Sequence, residues 1–142
     1  MPETNEGSVA MPAEPVVAIV NGNEDTVEML RATLQQHGFT AIATAHVRDL
    51  KLGRVDLLAF LEQHDPKVLI YDITIPYEEN WRFLQLLLTS AAMQGRRFVL
   101  TTTNKRALEG LVGEQSEVQE IVGKPYDLEQ VVEAVRKAIH GT

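Results

Sequence analysis

Cysteine is absent from the 142 residues, which removes disulfides, thiolate metal sites and cysteine nucleophiles together and fits a reducing compartment. Positive charge is scarce. The chain carries 13 Lys and Arg against 20 Asp and Glu, a formal net charge of -7, and no Lys/Arg run is longer than two. That balance argues against a nucleic-acid surface, which needs clustered cations. No apolar run approaches the ~18 residues that a membrane span requires, and no basic segment followed by an apolar run opens the chain. The expectation is a soluble, cytoplasmic protein with neither a nucleic-acid nor a membrane partner.

What is present is one domain's worth of core, 44% hydrophobic. Residues 1–15 hold three prolines and three glutamates without apolar periodicity, and are expected to be a flexible tail preceding a single domain over 16–142. The run 16–20 reads as a buried strand ended by Asn21-Gly22-Asn23. A first helix follows, with Asn23 as N-cap, Glu24 and Asp25 at its positive end, and Val27, Leu30 and Leu34 at helical spacing up to Gly38. Residues 39–45 read as a second strand and 46–54 as an irregular polar linker. A second helix fits 55–64, with Leu57, Leu58 and Leu61 on one face and Asp65-Pro66 as its stop.

The centre of the chain is Lys67-Val68-Leu69-Ile70-Tyr71-Asp72-Ile73-Thr74-Ile75-Pro76. Strand-favouring residues run into an acid, and proline forbids continuation, so Asp72 is placed at a strand's carboxyl end. A third helix is expected over about 78–93, its wide apolar surface read first as core plus one partly exposed face. Trp81 and Phe83 lie beside the Asp72 loop, where an exposed aromatic would be a natural anchor for a partner. A fourth strand (98–103) ends in three threonines, a short helix covers 105–112, a fifth strand (118–122) closes at Gly123-Lys124-Pro125, and an amphipathic helix spans 128–139. Five strand-then-helix units imply a doubly wound α/β sandwich: a five-stranded parallel sheet, order 2-1-3-4-5, covered by helices on both faces. Asn21, Gly22, Asp72, Thr103 and Lys124 then gather at one sheet edge.

This constellation resembles the receiver domain of two-component response regulators over nearly all of 16–139. The family pattern matches at Asp72, followed by an apolar residue and proline (Ile75-Pro76), at Thr103, and at Lys124-Pro125. Asn80 stands where the family usually has glycine in the following loop. The resemblance implies Asp72 as phosphoacceptor, with Thr103 and Lys124 as phosphate and switch residues. The departures are equally specific. The acidic pair that holds magnesium is replaced by Asn21 and Gly22, the switching aromatic by Ile121, and the small residue after the threonine by Asn104.

Two anionic ligands have thus become none, whereas Asp72 and Lys124 alone already sum to zero charge. Unit charges about 4 Å apart attract by roughly 4 kcal/mol at an effective dielectric near 20, so a direct pair is the expected resting state. Phosphoryl transfer, by contrast, relies on neutralising charge around the phosphate. The expectation is therefore a stand-alone, non-enzymatic, atypical receiver acting by protein contact, without cofactor or metal. Its implied partner is a histidine kinase, a regulator or a second copy, docked at about 105–139 or on the third helix. The alternative is a phospho-accepting receiver using Asp72 with a weak magnesium site. A haloacid-dehalogenase-like phosphatase is disfavoured by Thr74 at the second acid position, and a flavodoxin by the poor phosphate loop at 21–23. The four histidines, at 37, 46, 64 and 140, lack metal-site spacing and read as surface residues.

Overall fold

The computed structural model describes residues 15–53, 56–115, 117–124 and 127–140. The expected tail over 1–15 lies outside these residues except for Pro15. In chain order the elements are β1 (Val16–Asn21), α1 (Glu24–Gln36), β2 (Ile42–His46), α2 (Val47–Lys51), α3 (Leu57–His64), β3 (Pro66–Ile73), α4 (Tyr77–Leu88), a 3-10 turn (Ala91–Met93), β4 (Arg97–Thr102), α5 (Lys105–Val112), β5 (Val118–Gly123) and α6 (Leu128–His140). The sheet is parallel throughout, in the order β2-β1-β3-β4-β5. This is the expected 2-1-3-4-5 arrangement.

The sheet divides the interior into two cores because successive strand residues face opposite sides. On one side Val17, Ile19, Val68, Ile70 and Val99 pack against Leu30 and Leu34 of α1 and Val131, Val132 and Val135 of α6. On the other, Ala18, Val20, Leu69, Tyr71 and Leu100 meet Phe60 and Leu61 of α3, Trp81 and Leu84 of α4, and Leu108 of α5. Both faces are covered, which is why the central strands read as continuous apolar runs.

Several expected boundaries shift. The polar linker contains the helix α2, capped by His46, whose ring Nδ1 accepts from the Arg48 amide at 3.1 Å. β2 starts at Ile42 rather than at 39. α3 begins only after Asp56, whose carboxylate accepts from the Leu58 and Ala59 amides. Its buried face is Phe60 and Leu61, and Leu58 is exposed. The expected long third helix breaks at Thr89 and Ser90, where the Ser90 hydroxyl caps the 3-10 turn. α4 also starts a residue early, so Asn80 is a buried helical residue and not a loop residue. β4 ends at Thr102, one residue short of Thr103.

Candidate functional site

Asp72 is the penultimate residue of β3, the middle strand, and its side chain is only 3% exposed. An acid so placed needs partners, since an isolated buried carboxylate is strongly disfavoured. Neighbouring strands supply two. Thr101 pairs with Asp72 in the β3–β4 register, which puts both side chains on one face, and its hydroxyl donates to Asp72 Oδ1 at 2.6 Å. Lys124 follows β5, and its Nζ lies 2.8 Å from the same oxygen. The Lys124 amide donates to Thr102 O at 2.7 Å, which fixes the root of that side chain. The cluster is electrically neutral. Among the described residues, Oδ2 of Asp72 accepts no hydrogen bond.

The neighbouring Tyr71 is buried, and its hydroxyl finds no hydrogen-bond partner. Burial, aided by the Asp72 charge, pushes its ionisation above the ordinary tyrosine range.

Asn21 and Gly22 lie where the chain leaves β1. Asn21 is buried, and its Oδ1 accepts from the Asn23 amide at 2.9 Å, so its one good metal donor is already engaged in turning the chain into α1. Asn23 in turn caps α1 through the Thr26 amide at 2.9 Å. Gly22 is exposed, and a Cβ built there meets Val47 at an ordinary 3.5 Å. Glu24 and Asp25 are exposed on the first turn of α1. Among the described residues no three His, Asp or Glu side chains converge to hold a metal. One carboxylate bound by an ammonium, an amide whose oxygen is committed and a glycine do not fit a hard divalent cation, which wants several anionic or carbonyl oxygens.

Thr103 is not beside Asp72. It is exposed in the loop after β4, and its hydroxyl lies 2.6 Å from that of Tyr77 at the start of α4. The hydroxyl that reaches the acid is that of Thr101. Ile121 is half-buried against the α5 side of the sheet, where Val112 and Leu108 also lie. Trp81 is 3% exposed and belongs to the core, so it offers no anchor to a partner. Phe83 is half-buried under the Lys51 ammonium, 6.0 Å from the ring centre.

Three contributors had little signal in sequence. Asn80 Nδ2 donates to Thr74 O at 2.8 Å, holding the loop after Asp72, while the Lys51 ammonium donates to Asn80 Oδ1. Tyr77 bridges to Thr103. Lys51 and Tyr77 act across gaps of 29 and 26 residues, and only a fold in hand brings such pairs together. Thr101 was findable: period-two alternation places it and Thr103 on one face, and only the exact strand end decides between them.

No protein-family model matches the chain. It is 26% identical over 128 residues to the response regulator Rre1 of Synechocystis, an alignment covering 89% of this chain and 53% of that protein. The chain thus spans about half the length of this curated relative. Among solved structures it is similar to a signal receiver domain of a two-component histidine kinase from Clostridium thermocellum, with a TM-score of 0.70 and 16% identity over 89% of this chain and 98% of that one. It is also similar to the chemotaxis protein CheY4 of Vibrio cholerae, with a TM-score of 0.65 and 21% identity over 89% and 99%. The fold of this chain is that of the response-regulator receiver domains.

Proposed function

We propose that the chain works in two-component signalling as an atypical receiver, transmitting its signal by protein contact, with the charge at Asp72 balanced by Lys124 and not by a bound metal. The observation that supports this most is the shared acceptor: Lys124 Nζ and Thr101 Oγ1 both reach Asp72 Oδ1, at 2.8 and 2.6 Å, while Asn21 and Gly22 add no anionic ligand. A site already neutral has no electrostatic need for a cation, and a phosphate approaching it meets one ammonium instead of a divalent ion. The partner implied by this reading is a kinase, a regulator or a second copy.

The free Oδ2 of Asp72 favours one further reading, phospho-acceptance. That oxygen would form the new bond to phosphorus as the donor's leaving group, the imidazole nitrogen of a phosphohistidine, departs, with Lys124 and Thr101 as the nearest ligands for the phosphoryl oxygens. Titration with magnesium and beryllofluoride separates the two. The reporter is the fluorescence of Trp81, which follows Asn80, the residue that holds the Thr74 carbonyl. No saturable change in a folded protein is the expected result. A saturable change that Asp72→Asn abolishes overturns it and makes the phospho-accepting reading the better one.

A further inference from the structure

A cleft of about 490 Å³ opens along β2, and Asp72 is not among the residues that line it. Among the described residues β2 ends the sheet and is hydrogen-bonded on one side only. The bond from the Val17 amide to Ala41 O sets the phase of the ladder. In that phase Ala43 and Ala45 turn their backbone groups toward β1, and Ile42, Thr44 and His46 turn theirs outward. Thr44 and His46 line the cleft. Its walls are Glu24, Val27, Glu28 and Arg31 of α1 on one side and Phe60 and His64 of α3 on the other.

Two features point to an occupant. The first is charge: Glu24 and Glu28 of α1 line the cleft against the single Arg31, which is already engaged by Glu28 at 3.4 Å. The second is Asn21, which lines the cleft and is 97% buried. Its Oδ1 is held by the Asn23 amide, whereas its Nδ2 donates to no group among the described residues. An amide donor without a protein acceptor, beside the strand edge, can serve a partner's carbonyl.

We propose that this cleft is a docking site for an extended, Lys/Arg-bearing segment of a partner protein, which adds a strand to the edge of β2. The added backbone would bond to the outward groups of Thr44 and His46, one carbonyl would accept from Asn21 Nδ2, and basic side chains would meet Glu24 and Glu28. Val27, Ala45 and Phe60 supply apolar contact for the intervening residues. A second copy of this acidic chain is a poorer occupant on charge alone. The proposal goes beyond the receiver reading and does not rest on phosphorylation of Asp72.

The test uses a fluorescein-labelled peptide of alternating lysine and valine, eight residues long, titrated into the full chain. Two controls carry the same charge without strand capacity: a lysine–proline alternating peptide and spermine. Saturable binding by the lysine–valine peptide is expected, weakened at least tenfold by Glu24→Lys with Glu28→Lys. It is expected to weaken similarly in Thr44→Pro, which deletes an outward amide and leaves the β1 ladder intact. Far-ultraviolet circular dichroism checks folding, and Glu78→Lys on the distant α4 should leave affinity within twofold. The proposal is overturned if the peptide fails to bind, if the controls bind as well, if the cleft variants bind unchanged, or if sedimentation shows the edge closed by self-association. Asp72→Asn should bind the peptide like the parent chain, so the phosphorylation and docking readings fail separately.

Discussion

Lys124 and Asp72 form a pair in which one member is almost wholly buried and the other a quarter exposed. Removing the cation leaves a carboxylate that only Thr101 still contacts, so Lys124→Met should destabilise by about 3 kcal/mol in urea denaturation. Adding Asp72→Asn to that variant should recover more than half of the loss. Tyr71 acts in the opposite sense. Its proton is held more tightly in the folded chain than in the unfolded one, so above the ordinary tyrosine pKa of about 10 the folded state binds more protons and stability falls as pH rises. Tyr71→Phe should flatten that alkaline decline and, by deleting an unpartnered buried hydroxyl, should stabilise by about 1 kcal/mol at neutral pH. The Tyr77–Thr103 contact is exposed and worth less: a double-mutant cycle with Tyr77→Phe and Thr103→Val should give a coupling of about 0.5–1 kcal/mol. At Gly22 there is room for a side chain, so Asn21→Asp with Gly22→Asp should introduce magnesium affinity measurable by calorimetry, where the parent chain shows none.

The elements separate what periodicity can reveal from what it cannot. α5 and α6 were readable to within a residue because their apolar positions recur cleanly and Asn104 and Asp127 cap them. α3 was misread at its face. Three leucines suggested a stripe, yet the one at 58 points to solvent, since the entry angle set by the Asp56 cap turns Phe60 and Leu61 inward. Leu58→Lys should accordingly change stability by less than about 0.5 kcal/mol, whereas Leu61→Ala should cost about 2–5 kcal/mol. The short α2 escaped notice because five residues carry too little periodicity to register. Arg96 illustrates a contact with no local signal. From the turn before β4 its guanidinium bonds Ala92 O, Asp65 Oδ1 and Pro66 O, tying the ends of α3 and β3 together. Arg96→Ala should cost about 2 kcal/mol in the same assay, most of it from the two partly buried carbonyls left without this donor.

At the scale of the molecule, the sheet order and the position of Asp72 were legible because a parallel α/β fold leaves few topologies and gathers strand ends at one edge. The finer composition of the site was not. Choosing Thr101 over Thr103 required the β3–β4 register, and seeing the loop after Asp72 pinned required Lys51, at the end of α2, to be brought to Asn80 of α4. That pinning has a thermodynamic corollary. α2 is one short helix whose Asp49 lines the β2 cleft and whose Lys51 holds Asn80, the residue gripping Thr74 O just past Asp72. If an occupant of the cleft tightens this hold by some factor, then anything that tightens it from the Asp72 side must favour the occupant by the same factor. Information entering at either end would then be readable at the other, giving the chain an input and an output whatever occupies the Asp72 site.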